Sequence, residues 1–236
     1  MNPIREADTT IAMSGVKAIV YGESGAGKTL LCSTLPAALL INAEGGLLSL
    51  KSDNIRRVYG DQALTPNVPV ISVSSLKDAH EVYQWLSTSG DSYHYGSIYI
   101  DSLSEIAELV LEDAKTKNRD LRMAYADCMN RMLHLIRQFR DLPGKHVVMA
   151  CKEMELESGM HVPSLPGAKL VSRLPYFFDE IFHLAIGKNG NETFRYIATR
   201  KSDRFLAKDR SGALAEFEYP HLGNIIQKIL QPCQPA

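Results

Sequence analysis

One octapeptide constrains the fold of this chain more than any other feature. Residues 22–29 read Gly-Glu-Ser-Gly-Ala-Gly-Lys-Thr and fit G-x-x-x-x-G-K-[ST], the pattern of a phosphate-binding P-loop. The apolar run 16–21 before it is rich in β-branched residues and predicts a buried strand. Leucines at helical spacing follow the motif until Pro36. This strand–loop–helix order is the context that a P-loop requires, so the stretch predicts a nucleoside triphosphate site.

The residues of the motif have separate predicted roles. Successive backbone N–H groups and the start of the helix are expected to face the phosphates, and the glycines let the backbone approach them closely. Lys28 is expected to neutralise the outer phosphates, and the Thr29 hydroxyl to ligate Mg²⁺. The predicted cofactors are therefore ATP and Mg²⁺. The predicted nucleotide-binding residues are Gly22, Glu23, Ser24, Gly25, Ala26, Gly27, Lys28, Thr29 and Leu30.

Two later strand ends are expected to bring carboxylates to the same place. The apolar run 38–42 leads into Glu44, and the apolar run 96–101 ends in Asp101. In an open parallel sheet, ligands bind outside the carboxyl ends of the strands. Glu44 is thus a candidate catalytic residue that orients and deprotonates the attacking water, with an exposed turn residue as the alternative. Asp101 is a candidate metal ligand of the Walker B type.

Length and composition indicate one soluble globular unit. The chain has 236 residues, of which 45% are hydrophobic and 22% charged, and its net charge is −1. We expect a single α/β domain over residues 16–236, preceded by an N-terminal arm or edge strand over residues 1–15. The four cysteines are scattered, and neither a signal peptide nor a membrane-spanning run is evident, so a cytoplasmic location is expected. With this charge, any nucleic-acid contact must be a local patch.

Three further segments have open interpretations. Residues 115–122 are the densest basic segment, and they suit either a loop that grips a nucleic-acid backbone or a solvated helix end. Residues 152–167 have mixed charge and no periodicity, as in a long functional loop. The runs 181–186 and 193–197 predict an antiparallel hairpin, and the basic cluster 199–210 follows it directly.

Taken in order, these parts resemble a RecA-like ATPase core without accessory domains, closest to the short phage recombinases and single-strand annealing proteins of the Sak group. The resemblance covers residues 16–210. It implies a mainly parallel central sheet flanked by helices, with a C-terminal antiparallel hairpin. Within it, residues 22–29 match Walker A, residues 41–44 match the strand end with the catalytic glutamate, and residues 98–102 match Walker B.

The resemblance also assigns the basic segments. Residues 115–122 fall where the family has its first DNA-binding loop and residues 152–167 where it has the second, which is acidic here. The implied DNA-binding residues are Lys115, Lys117, Arg119, Arg122 and Lys152.

Basic residues after the last hairpin reach a neighbouring subunit's γ-phosphate in the family. Lys201 and Arg204 fit this catalytic role best, with Lys208 and Arg210 as rivals. One departure concerns Cys151-Lys152, which replaces a polar amide that senses the γ-phosphate in many relatives.

The function that the resemblance implies is a DNA-stimulated ATPase that binds single-stranded DNA and promotes annealing or strand exchange. Homo-oligomers, as rings or filaments, would hold ATP at subunit interfaces in the cytoplasm of the bacterial host. The resemblance implies a single-stranded-DNA-binding protein as a further partner. It implies no contact with a membrane. Two alternatives remain: a loader or scaffold of a replication complex, and a P-loop kinase of a small molecule or nucleotide in which residues 201–210 form a lid.

Overall fold

The structure is a computed structural model that describes Glu6 and residues 14–231. The arm or edge strand expected over residues 1–15 lies almost entirely outside the described residues. No helix in the described part of the chain is long and apolar enough to cross a membrane.

Six parallel strands form the centre of the fold, in the order β8-β1-β5-β4-β2-β3. Antiparallel strands extend the β8 side, where β9 and β10 pair with β8, and β11 pairs with β9. A separate two-stranded hairpin contains β6 and β7. The strands are β1 Lys17–Tyr21, β2 Ala38–Asn42, β3 Val70–Ser72, β4 Ser97–Asp101, β5 His146–Cys151, β6 Glu153–Glu155, β7 His161–Pro163, β8 Glu180–Asn189, β9 Glu192–Ala198, β10 Lys208–Asp209 and β11 Phe217–Glu218.

Helices cover both faces of this sheet. Successive side chains of a strand point to opposite faces, so Ile19 and Tyr21 pack with the α3–α5 layer, whereas Ala18 and Val20 pack with α1 and α7. The short helix α2 packs beside α1 on the second face. The helices are α1 Lys28–Leu31, α2 Ser52–Tyr59, α3 Leu76–Thr88, α4 Leu103–Lys117, α5 Leu121–Arg140, α6 Ala168–Arg173 and α7 Leu222–Leu230.

The architecture confirms the expected α/β class, with a mainly parallel sheet between helices and an antiparallel hairpin towards the C-terminus. The run after the P-loop forms α1 and a short 3₁₀ turn over residues 32–34. The expected hairpin is confirmed as β8–β9, and both strands are longer than the alternating runs that predicted them.

Residues 152–167 differ from the structureless loop that the sequence predicts. They contain the β6–β7 hairpin, in which Glu155 pairs with His161 across a turn whose Gly159 has a φ of 80°. The segment 202–206 runs alongside β7, because the His161 N–H donates to the Arg204 carbonyl at 2.7 Å and the Leu206 N–H to the His161 carbonyl at 3.0 Å. Strands of three residues are too short to leave a periodic signal, which explains the missed hairpin.

Candidate active site

The P-loop connects β1 to α1 at the carboxyl edge of the parallel sheet. Gly25 and Gly27 have φ values of 81° and 104°, in the left-handed region that side chains rarely adopt. Gly22 is required for another reason: a Cβ at this position would lie 2.2 Å from the carbonyl oxygen of Leu184 in β8. The loop is therefore held against β8 and has the glycines that a close phosphate approach needs.

Lys28 folds back over the mouth of this loop. Its ammonium donates to the carbonyl oxygens of Gly22 at 2.7 Å and Glu23 at 2.9 Å. Burial lowers the pKa of Lys28, and the carboxylates of Asp101 and Glu44 oppose that shift. The ammonium can turn from these carbonyls to a phosphate without leaving the loop.

Thr29 and Asp101 meet beneath the loop. The Thr29 hydroxyl donates to Oδ2 of Asp101 at 2.5 Å, and Asp101 is 2% exposed. Its other oxygen, Oδ1, is buried and accepts no hydrogen bond from the residues that the structure describes. Burial raises the pKa of Asp101 to about 6, an effect that the Thr29 hydrogen bond opposes. A buried carboxylate oxygen without a donor, next to a hydroxyl, fits the hard oxygen ligands that Mg²⁺ prefers.

Glu44 is tied to the end of β4 by Ser102. The Ser102 hydroxyl donates to Oε1 of Glu44 at 2.5 Å and accepts the N–H of Glu105 at 3.2 Å as the N-cap of α4. The Ala43 N–H donates to the Asp101 carbonyl at 2.6 Å, so the two strand ends are joined through the backbone as well. Glu44 is exposed, yet its carboxylate is held at the cleft, where it can accept a proton from water.

A cleft of about 480 Å³ lies between the P-loop and the β6–β7 hairpin. Glu153 lines it and accepts hydrogen bonds from two imidazoles, His161 Nδ1 at 2.6 Å and His183 Nε2 at 2.8 Å. Burial lowers the pKa of His183, and the Glu153 carboxylate opposes the shift. The residues lining the cleft are Gly22, Glu23, Ser24, Lys28, Glu44, Lys152, Glu153, Met154, Glu155 and His161.

Two residues near the P-loop were missed by the sequence reasoning. Glu153 follows the end of β5 as Glu44 follows β2, so the strand-end argument that found Glu44 applies to it equally. Arg195 lies against Gly27 of the P-loop, and its position depends on the register of the β8–β9 hairpin. No sequence pattern gives that register in advance.

The four basic residues considered for a contact across a subunit interface fall into two groups. Lys208 donates to the carbonyl oxygens of Pro175 and Phe178, and Arg210 pairs with an aspartate, Asp179, at 2.7 Å. Lys201 and Arg204 are exposed, and their side chains make no hydrogen bond or ion pair within the described part of the chain. Arg204 adjoins the cleft through its backbone contact with His161.

The predicted DNA-binding residues lie at two separate places, the α4–α5 tip and the cleft. Lys115, Arg119 and Arg122 are exposed at the tip where α4 meets α5, and none of these side chains is paired within residues 14–231. Lys117 is at the same tip but forms an ion pair with Asp113 at 2.7 Å.

Lys152 lies apart from the α4–α5 tip. It lines the nucleotide cleft, and its ammonium pairs with Glu105 at 2.7 Å and Glu108 at 3.2 Å. A DNA contact by Lys152 would require these ion pairs to break. The remaining loop, residues 164–167, approaches the tip instead, since a Cβ on Gly167 would lie 3.5 Å from the Tyr125 ring.

The fold and the cleft together define a P-loop nucleotide-hydrolysing domain of the α/β class. A family model described as an AAA domain, AAA_24, matches residues 14–211. The chain therefore belongs to this AAA domain family, and the match includes the P-loop, Glu44, Asp101 and the β8–β9 hairpin. No curated protein matches the chain.

Proposed function

We propose that the chain is an ATPase whose ATP-bound subunits assemble head-to-tail on single-stranded DNA and promote annealing or strand exchange. In this proposal the residues 22–30 bind the phosphates, with Lys28 on the outer ones. Thr29 and Asp101 hold Mg²⁺, which neutralises phosphate charge when bound. Glu44 positions a water molecule and accepts its proton.

The hydrogen bond between Ser102 and Glu44 is the observation that carries the ATPase part of the proposal. It fixes a carboxylate beside Lys28 and Asp101, at the end of the cleft where the γ-phosphate would lie. A kinase needs a pocket for its acceptor rather than a fixed base for water. Glu44 therefore favours hydrolysis over the kinase alternative.

Subunit assembly is supported by the two unpaired basic residues of the loop 199–207. Lys201 and Arg204 are exposed, and Arg204 adjoins the cleft through its backbone contact with His161. Lys208 and Arg210 are instead occupied within their own subunit. A surface that contributes cations to a different surface on the next subunit is heterologous, and such interfaces build rings or filaments. We propose Lys201 and Arg204 as the residues that reach the neighbour's γ-phosphate.

DNA binding is supported by the composition of the α4–α5 tip. Lys115, Arg119 and Arg122 are exposed at this tip. The Tyr125 ring, one helical turn after Arg122, is 42% exposed and adjoins Gly167. Cations along a backbone combined with an aromatic ring that stacks on bases are the elements of non-specific single-strand binding. The α4–α5 tip is therefore the proposed contact, with Lys117 joining it only if its ion pair with Asp113 opens.

The first experiment compares ATP hydrolysis with and without single-stranded DNA, together with light scattering to follow assembly. We expect DNA to stimulate hydrolysis and ATP to promote assembly on DNA, and Lys28→Ala to abolish both. Unchanged ATP-dependent assembly in Lys28→Ala would refute the proposal. Hydrolysis that DNA leaves unchanged, combined with binding to a replication protein, would support the loader or scaffold instead.

The second experiment tests the DNA surface. Arg119→Ala combined with Arg122→Ala should weaken binding to single-stranded DNA. The slope of its salt dependence should fall by roughly 0.7 for each lost phosphate contact. The matched control is Arg56→Ala combined with Arg57→Ala, which removes two exposed helix arginines on the opposite face of the sheet. Equal DNA affinity in the two double variants would exclude the α4–α5 tip as the contact.

A further inference from the structure

Arg195 crosses the P-loop from the antiparallel side of the sheet. It lies on β9, opposite Ile186 of β8, in the part of the hairpin that extends beyond the pairing of β8 with β1. A Cβ on Gly27 would lie 3.3 Å from Nε, 3.5 Å from Cζ and 3.6 Å from Cδ of Arg195. The planar end of the side chain thus rests directly on the residue that precedes Lys28.

The guanidinium has no acceptor in this position. No carboxylate or carbonyl oxygen in the described part of the chain accepts a hydrogen bond from Arg195, although a guanidinium has five N–H donors. Gly27 is also the N-cap of α1, so the first N–H groups of that helix have no helical acceptor. A guanidinium without an acceptor beside the start of this helix points to an anion as the missing partner.

The order of strands shows which part of a nucleotide Arg195 can reach. Asp101 and Glu44 follow β4 and β2, which lie on the β5 side of β1, whereas β9 lies beyond β8 on the other side. Arg195 therefore approaches the P-loop from the side opposite to the carboxylates that define the γ-phosphate end. With the γ-phosphate at the carboxylates, the phosphates nearer the nucleoside would be on the Arg195 side of the P-loop.

We propose that Arg195 binds the α- or β-phosphate of the nucleotide held by its own subunit. This inference rests on the proposed nucleotide site and adds a cis phosphate-binding residue to it. The contact is to phosphates that ADP and ATP share, so Arg195 contributes to nucleotide affinity rather than to the hydrolytic step. It differs in this from Lys201 and Arg204, which are proposed to act on the γ-phosphate of a neighbour.

The test measures ADP and ATP affinities of Arg195→Ala in the presence of Mg²⁺, together with kcat and KM for hydrolysis without DNA. A lost charged hydrogen bond predicts that the dissociation constants for both nucleotides rise by a similar factor, about 10- to 100-fold. KM should rise with them, while kcat stays within about threefold. Arg195→Lys keeps the positive charge but loses the planar guanidinium with its paired N–H donors, so it should recover only part of the affinity.

Lys188→Ala is the matched control. Lys188 is an exposed cation on the same face of the same hairpin, two residues beyond Ile186 and farther from the loop. We expect its nucleotide affinities to remain within about twofold of the unmodified chain. Arg195→Ala should also keep the thermal stability of the nucleotide-free chain, because Arg195 has no partner to lose within the described residues.

Two results would overturn the inference. One is an ADP affinity of Arg195→Ala equal to that of Lys188→Ala, and the other is a loss of kcat at unchanged ADP affinity, which would place Arg195 at the γ-phosphate. Lys28→Ala separates this failure from failure of the site itself. If Lys28→Ala loses nucleotide binding while Arg195→Ala does not, only the Arg195 inference fails.

Discussion

The Ser102 hydroxyl joins the candidate base to the helix that follows the candidate metal ligand, and Ser102→Ala removes both connections at once. Ser102 is fully buried, donates to the Glu44 carboxylate and accepts the N–H of Glu105. We expect Ser102→Ala to lower the stability of the fold and the rate of hydrolysis by separate mechanisms. The stability loss comes from the N-cap, and the rate loss from a misplaced base.

The two magnitudes follow from the contacts. Removing a serine N-cap costs about 0.5–2 kcal/mol in the free energy of unfolding. A hydrogen bond to a charged group contributes about 1.5–3 kcal/mol, and Glu44 is exposed, so water replaces part of that contact. We therefore expect the lower end of this range in the activation free energy, which corresponds to a roughly tenfold decrease in kcat.

Urea unfolding and steady-state ATP hydrolysis measure the two effects. Ser75→Ala is the control, because Ser75 caps α3 in the same way, accepting the Asp78 N–H at 3.1 Å, but lies away from the cleft. It should reduce stability by a similar amount and leave kcat unchanged. In a Glu44→Gln background, Ser102→Ala should have little further effect on kcat, since the base is already absent. A full tenfold decrease in that background would refute the role of Ser102 in positioning Glu44.

Two further substitutions test the packing and the charges around the sheet. Gly22→Ala would place a Cβ 2.2 Å from the Leu184 carbonyl oxygen, so it should weaken ATP binding and cost about 1–3 kcal/mol of stability in urea unfolding. Gly90→Ala, with no atom within 4 Å of its Cβ, should do neither, and equal behaviour of the two variants would contradict the proposed close approach. Burial raises the pKa of Glu180 from 4.5 to about 8, and the Asp209 carboxylate adds to the shift. Between pH 4.5 and 8 the folded state therefore holds a proton on Glu180, whereas the unfolded state has lost it. The stability of the unmodified chain therefore falls as the pH rises through this window. Glu180→Gln has no such carboxyl group, so it should be more stable than the unmodified chain by up to a few kcal/mol at pH 8.5, at about 1.4 kcal/mol per pKa unit. At pH 4 the two proteins should differ little. Parallel stability–pH curves for the two proteins would contradict this reasoning.

Strand polarity explains why the sequence predicted half of the cleft. Carboxyl ends of parallel strands share one edge, so Glu44 and Asp101 could be placed beside the P-loop without knowing the order of strands. The β8–β9 hairpin also followed from the sequence, because its two apolar runs, 181–186 and 193–197, are separated by a short turn.

The other half of the cleft depends on tertiary contacts that periodicity does not encode. The β6–β7 hairpin contains strands of only three residues, and Glu153 is placed by its contacts with His161 and His183. Arg195 reaches Gly27 only in the observed β8–β9 register. The ion pairs of Lys152 likewise depend on how α4 packs against the end of β5. The resemblance implied a DNA-binding role for Lys152 in a second loop, whereas the ion pairs hold Lys152 at the cleft.

The β6–β7 hairpin and the loop with the unpaired cations form one hydrogen-bonded unit. Glu153 binds His161 through its side chain, and the His161 backbone bonds to Arg204 and Leu206. The Glu153 carboxylate also lies close enough to Lys28 to raise the pKa of that lysine, against the larger effect of burial. A polyphosphate at Lys28 would place negative charge near Glu153, and the two would repel each other. The contacts from Glu153 to His161, and from His161 to Arg204, thus join a carboxylate near Lys28 to a residue proposed to reach the neighbouring subunit.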